Sequence, residues 1–568
     1  MDRFRYWFTG ALEDVFMDTR PYHFSPVTGH IDMARNEGES IQLAVRTECP
    51  VQVTVKVQPF AEENAPRIES GLVHFAFASA QSYDIGRKAI RGKTPCEFPE
   101  YINPIETVDL VEGEARSFFI TAWTQADTKP GEYCTTIHMT AGDCAWEIPL
   151  TVRVRDVLIP SAIESDYSYT CWLSMTTKTP PQPGRDRKDI QINEKIFGIK
   201  NYSEEFWKLA ENYARALKRH RQDVITVPFH DLLVEEMQID DDGNYIFDFT
   251  LFDRYVEIFL KHGAFRYLEG YHLFFRDFTF HPPKPGEWSL SSIVCWVFEK
   301  GDDGKVKIGW RQFEDPETER HLRQLLGGLY AHLKEKGWDK MWLQHVSDEM
   351  TSDLQLNQTR WGYEIVHECM PGARTIDAVS GRSIEFFGTE LDIHVPILYA
   401  FESAKEEMVA FAAANPSVEM WNYTCMLPHQ DYLSRLGDYK LICTRLLHWY
   451  NYKWNATGYL HWAWNTWGCG MVRWDPFADT STIDKGYPTD GWLVFPDREN
   501  LDVWETTRSH ANRDGLEDRE LLRLAAQKDP EAVKMLMDVM LVDARDYDTD
   551  PNTFMRIREK LLDIAERE

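Results

Sequence analysis

Met341-Trp342-Leu343-Gln344-His345-Val346-Ser347-Asp348-Glu349 is the stretch that decides the reading of this chain. It begins as an apolar run (Met341, Trp342, Leu343, Val346) and stops at two adjacent carboxylates, Asp348 and Glu349. A short buried strand that ends in acids is the pattern of a catalytic strand in a (β/α)8 barrel, whose active site lies at the strand C-termini. Successive strand residues point to opposite faces, but the chain turns at a strand end, so both acids can face one cleft. For an isolated Asp-Glu pair the commoner reading is a solvated acidic loop that opens the next helix. The surrounding sequence decides between the two.

Seven further strand candidates surround this one: Tyr167–Leu173, Val224–Phe229, Tyr267–Phe274, Arg374–Val379, Ile393–Tyr399, Val418–Tyr423 and Gly458–Trp464. Amphipathic helices lie between several of them. Ser203 caps one whose apolar stripe is Phe206, Leu209, Tyr213 and Leu217. Another carries Leu322, Leu325, Leu326, Leu329 and Leu333 and stops at Gly337. Eight strands alternating with helices predict a (β/α)8 TIM-like barrel.

Upstream, residues 1–155 show short alternating runs: Ser40–Arg46, Val51–Val57, Arg116–Trp123 and Trp146–Val154. Turn residues separate them, which predicts an all-β sandwich. The expected organisation is a sandwich over 1–155, a linker over 156–165, a catalytic barrel over 166–525 and a helical segment over 526–568. The charged tail from Glu517 onward reads as a solvated helical cap. Two long connections follow barrel strands and are placed to wall a pocket. One holds a hairpin, Val294–Lys300 with Lys305–Trp310; the other carries Trp467, Trp474, Asp490 and Trp492.

The chain has 568 residues, 43% hydrophobic and 13% aromatic, with a net charge of −29. Such acidity disfavours nucleic acid and anionic membranes as partners. Abundant rings and carboxylates suit neutral sugars. The N-terminus has no apolar core with a cleavage site, and no run of about 18 apolar residues occurs, so a cytoplasmic location is expected. Ten cysteines are scattered without a Cys-x-x-Cys pair, in keeping with reduced thiols. No His-x-His opens the first barrel strand and no helix carries histidines four apart, so neither a metal nor a cofactor is expected.

Several strand ends carry residues suited to a polar ligand: His230, His272, Tyr399, Trp421, Asn422, Tyr423, Trp462, Trp464 and Asn465. Singly each reads as a core residue; together, with Trp467 and Asp490 from the last long loop, they supply flat rings and fixed polar groups. If the last strand runs through Trp464, alternation puts Trp462 and Trp464 on one face.

Three segments resemble glycoside hydrolase family 123: Ala34–Leu43, Ser347-Asp348-Glu349, and the series from Gly458–Trp462 through Asp490–Pro496 to Arg513–Leu522. They occur in family order over nearly the whole chain. Family members usually carry Pro after Asp-Glu, where this chain has Met350. The resemblance implies a retaining exo-β-N-acetylgalactosaminidase with Asp348 and Glu349 as catalytic residues. The substrate is then a small oligosaccharide or glycoside ending in an N-acetylhexosamine. Adjacent acids rarely straddle a sugar ring, but they suit substrate-assisted hydrolysis, in which the 2-acetamido oxygen attacks the anomeric carbon. Asp348 orients and stabilises the acetamido group, and Glu349 acts as general acid and base. A hexosaminidase or other glycosidase of different specificity is the alternative within the class. A non-catalytic carbohydrate-binding barrel and a metal-dependent deacetylase are the alternatives outside it. Homo-oligomerisation is compatible with the sequence.

Overall fold

The computed structural model describes residues 4–176, 192–277, 292–379, 381–468, 473, 475–482 and 486–567. The N-terminal region is a sandwich of two five-stranded sheets. One runs in the order Phe4–Gly10, Gly38–Thr47, Ala115–Trp123, Arg67–Ala78, Cys96–Asn103. The other runs Gly29–Arg35, Cys144–Leu158, Gly131–Ala141, Val51–Val57, Thr107–Leu110. Alternating residues such as Leu43, Val45, Phe118, Ile120, Val152 and Val154 meet between the sheets with almost no exposure.

The second body is an eight-stranded parallel barrel. Its strands are, in order, Ser168–Cys171, Val224–Val227, Tyr267–Gly270, Trp342–Asp348, Arg374–Val379, Ile393–Pro396, Glu419–Tyr423 and Gly458–His461. All eight fall where the apolar runs placed them. Strands two to eight, and eight to one, are joined by parallel ladders. Side chains bridge the remaining seam. Asp223, just before strand two, accepts the Tyr169 N–H at 2.7 Å, and Gln222 donates to the Cys171 carbonyl at 3.1 Å.

Helices cover the outside as expected. Ser203 accepts the Phe206 N–H at 3.3 Å to open Glu204–Arg219, and Gly337 ends Pro316–Lys336 at φ 74°. The hairpin pairs Ile293–Lys300 with Val306–Gln312.

The tail corrects the sequence reading. Helix Thr507–Lys528 is buried along most of its length, including Asp514, Glu517, Asp518, Arg519 and Glu520, and so is not a solvated cap. It runs through residue 525 and packs on helix Leu441–Lys453. A Cβ at Gly515 would stand 2.6 Å from the Arg445 carbonyl oxygen, so only glycine fits that approach. The charges of this helix are paired across the junction with the sandwich. Arg445 reaches Asp518 at 2.6 Å, Glu39 at 3.0 Å and Asp514 at 3.3 Å. Arg558, from helix Pro551–Ala565, bonds Asp518 at 2.9 Å and also pairs with Glu37. Arg513 donates to the Gly38 carbonyl at 2.8 Å. Two of the segments that carry the family resemblance, around Glu37–Glu39 and Arg513–Glu520, therefore meet in one buried ion cluster. Among the described residues no helix is long and apolar enough to cross a membrane.

Candidate active site

Barrel strand four ends at Asp348. The ladder continues one step, with the Glu349 N–H donating to the Ala378 carbonyl at 2.9 Å, and the backbone then turns at Glu349 with φ 54°. A left-handed φ is costly for a side chain such as Glu and persists only where its surroundings hold it. Here Arg276 donates to the Glu349 carbonyl oxygen. The next helix begins only at Asp353, capped by Ser352, so neither acid belongs to a helical first turn. Both are partly exposed at the C-terminal mouth of the barrel.

The environments of the two acids differ. Burial pushes Asp348 above the usual Asp range, while the Arg276 guanidinium and the His345 imidazolium pull it back. Burial also pushes Glu349 up, and the neighbouring Asp348 charge pushes it further. Tyr423 donates its hydroxyl to the Glu349 carboxylate, and Arg276 lies 4.0 Å from it; both partly offset the rise. The Glu349 side chain keeps 40% of its surface open to the cleft. Its desolvation is therefore completed by whatever covers it. Asp348 faces Arg276 and His345 against Asp377, whereas Glu349 faces the Asp348 charge against Arg276 and the Tyr423 hydroxyl, so the two acids resist ionising together.

Beneath the pair lies a buried charge relay on adjacent strands. His345 on strand four bonds Glu269 of strand three at 2.6 Å and Asp377 of strand five at 3.2 Å. Burial alone would lower its pKa, but these carboxylates lift it to about 9. Asp377 also accepts the Val346 and Ser347 N–H groups at 2.9 and 3.0 Å, fixing the backbone just ahead of Asp348. Glu269 accepts Trp172 Nε1–H at 2.9 Å. The sequence reading missed Arg276, Trp172, Glu269, His345 and Asp377. Its available signal was a charged residue inside each of three successive apolar strands.

The structure brings only some of the proposed binding residues to this cleft. Tyr423 touches Glu349, and the phenol of Tyr399, 45% exposed, is raised by partial burial and then by the nearby Glu349 charge. Trp462 is partly exposed and donates its indole N–H to Asp490 at 3.2 Å. Asp490 is buried, its Oδ1 makes no hydrogen bond and stands 3.7 Å from His461 Nε2, and burial lifts it to about 7 with Glu349 adding to the rise. His272 lies one layer down, its ring centre 4.7 Å from that of His345, and burial lowers it to about 3.

The others point elsewhere. Trp421 fills the lower barrel interior and donates to Glu419 at the far end of its strand. Asn422, the next residue, faces outward and bonds Asn451 at 2.5 Å. Strand eight stops at His461, so alternation does not extend to Trp464, which is buried against Tyr213. Asn465 ties its loop to Ser174 at 2.8 Å, and Trp467 is fully buried. His230 is buried between Phe229 and Trp296. Trp474 lies outside the described residues. Among the described residues no three His, Cys, Asp or Glu side chains converge as a metal site.

The family model described as glycoside hydrolase 123, catalytic domain, matches residues 191–525. The chain belongs to glycoside hydrolase family 123. No curated protein matches it. A family 123 glycoside hydrolase from Clostridium perfringens, solved in a study of glycolipid glycan hydrolysis, superposes with a TM-score of 0.73 at 15% identity, covering 99% of this chain and 98% of that one. A likeness at that identity speaks for the fold. An endo-β-1,4-mannanase from Thermotoga petrophila aligns at a TM-score of 0.35 and 9% identity, over 64% of this chain and 78% of its own. This family 123 chain is a glycoside hydrolase with an N-terminal sandwich, a nearly closed barrel and C-terminal helices.

Proposed function

We propose that this glycosidase is a retaining, exo-acting β-N-acetylgalactosaminidase that uses the substrate's own acetamido group as nucleophile. The observation that carries the reading is the placement of two consecutive acids at one strand end, close enough to shift each other's ionisation. A retaining pair that brackets a ring stands on opposite faces, about 5 Å apart. Neighbours on one strand end favour a tethered nucleophile instead, for which effective molarities on the order of 10⁵ M are attainable.

The steps balance as follows. Protonated Glu349 gives its proton to the glycosidic oxygen as the bond to the anomeric carbon breaks. The acetamido oxygen bonds that carbon and forms an oxazolinium ion, and ionised Asp348 accepts the hydrogen bond of its N–H. The leaving group departs as an alcohol. Glu349, now a carboxylate, takes a proton from the water that reopens the ring. General acid catalysis of this kind contributes roughly 10²–10⁴-fold. Tyr423 spends its one hydroxyl hydrogen on Glu349 and so orients that acid, which leaves Tyr399 as the donor for the acetamido oxygen. Trp462 and Asp490 supply a ring and an acceptor for the sugar. The neighbour from Clostridium perfringens, associated with glycolipid glycans, supports an oligosaccharide end as substrate.

The test is turnover of an aryl β-N-acetylgalactosaminide. Asp348→Asn and Glu349→Gln should each cost at least roughly 10²-fold in kcat. The Glu349 variant should recover in part when the leaving group is a good one. Equal cleavage of the matching 2-hydroxy glycoside would overturn the mechanism. The nearness of Asp490 to Glu349 favours one second reading: a two-carboxylate glycosidase for another sugar, with these two acids across the ring. Trapping of a covalent adduct by a 2-deoxy-2-fluoro glycoside would establish it.

A further inference from the structure

The sandwich does more than flank the barrel. Its segment between strands Arg67–Ala78 and Cys96–Asn103 crosses to the loops at the barrel's C-terminal mouth. Ser82 donates through its N–H and its hydroxyl to Asp438 at 2.6 and 2.8 Å. Gly86 N–H donates to the Gln430 carbonyl, and Gln430 N–H to that of Asp84, both at 2.9 Å. Thr480, in the loop after strand eight, donates its N–H to the Phe77 carbonyl at 2.8 Å. Contact is close enough that a Cβ on Gly86 would fall 1.8 Å from an Asp431 oxygen, and one on Gly486 2.1 Å from the Gln81 carbonyl oxygen. Asp84, Gln430, Tyr487 and Thr489 all take positive φ at this seam, as Glu349 does beside it. Such strain concentrates where a shape is being held for a ligand.

Three rings line the seam. Tyr487 stacks on His429 with centroids 5.7 Å apart and planes 19° apart. Tyr83, from the sandwich segment, meets His429 edge-on at 5.4 Å. Tyr487 is nearly buried while Tyr83 is 68% exposed, so the row opens outward. Its inner end abuts the catalytic cleft, since the Asp490 N–H bonds the Tyr487 carbonyl at 3.3 Å and Asp490 holds Trp462. We propose that Tyr83, His429 and Tyr487 form the subsite for the neutral saccharide on the leaving-group side of the scissile bond, with the sandwich supplying its outer ring. Rings with polar edges, continuous with the cleft and longer as a row than one sugar ring, match a chain of pyranoses, which present apolar faces and a hydroxyl rim. The assignment rests on reading Asp348 and Glu349 as the cleaving pair.

The experiment uses the full-length protein and two substrates: a trisaccharide with a terminal β-N-acetylgalactosamine on lactose, and the methyl glycoside of the same sugar. Tyr83→Ala and His429→Ala should lower the preference in kcat/KM for the trisaccharide by about 3- to 10-fold, mainly through KM, with Tyr83→Trp restoring it. Equal losses on both substrates, or none, would overturn the proposal. Saturation-transfer NMR with lactose gives an independent readout. Transfer should be present in the wild-type protein and lost in both alanine variants; no transfer to the wild-type protein, or the same transfer in all three, would refute the subsite. If the wild-type protein cleaves neither glycoside yet shows the transfer pattern, the catalytic reading has failed and the saccharide subsite stands.

Discussion

Glu349 stands one residue beyond its strand, and that turn decides how a single proton is shared. Cleavage by the proposed route needs Asp348 ionised and Glu349 protonated, so the acid limb of kcat/KM belongs to the first and the alkaline limb to the second. Both acids are raised from their ordinary values of 3.8 and 4.5, so the bell should lie above the ordinary carboxylate range. Arg276 lowers both acids; Arg276→Gln should therefore move both limbs to higher pH. A profile that keeps its limbs in that variant would count against the assignment. At this scale the sequence was legible where a strand stopped at charged residues, as at Asp348, and at Tyr423, the last residue of strand seven. It was not legible for Trp421, Asn422 and Trp464. Which side of a strand faces the lumen depends on register and on where the strand ends, and neither is written in the residue types.

Barrel strands three, four and five are cross-linked at one level by Glu269, His345 and Asp377. The His345 side chain is 1% exposed, and its pKa rises from 6.5 to about 9. A cationic group raised on folding stabilises fully below its unfolded pKa and loses that contribution as pH climbs through the folded one. The relay should therefore add about 3 kcal/mol that is complete below pH 6.5 and lost as pH rises through about 9. In His345→Gln the melting temperature should be lower at neutral pH and should fall less between these limits. A parallel decline in both proteins would remove His345 as its cause. Elements as a class were well marked in the sequence. Ser203, Gly337 and the apolar runs fixed barrel strands and helix ends because each obeys a local rule. Sandwich strands such as Arg67–Ala78 and Gly131–Ala141 were harder to find, since polar residues interrupt their alternation.

Across the whole molecule the deciding feature is the buried ion cluster between the sandwich and the C-terminal helices. Removing one partner from a buried cluster strands the others, at a cost of about 3–5 kcal/mol. Arg558→Met should do so by leaving Glu37 without its guanidinium partner and Asp518 with Arg445 alone. Calorimetry should record a lower midpoint while the wild-type protein melts in one transition, because neither body completes its own charge pairing. Separate transitions for sandwich and barrel in the wild-type protein would contradict this. The tail could not be read this way from its own composition. A run such as Arg513–Glu520 looks solvated until partners from elsewhere in the chain, Arg445, Arg558 and, 475 residues from Arg513, Gly38, are brought to it.

The seam at Gly86 and Gly486 carries one more consequence. A cleft wall assembled from two chain segments cannot be inherited as a detachable cassette. Transplanting this barrel onto a foreign sandwich would preserve its acids and lose the contour of its mouth. Drift in one body must therefore be answered by drift in the other.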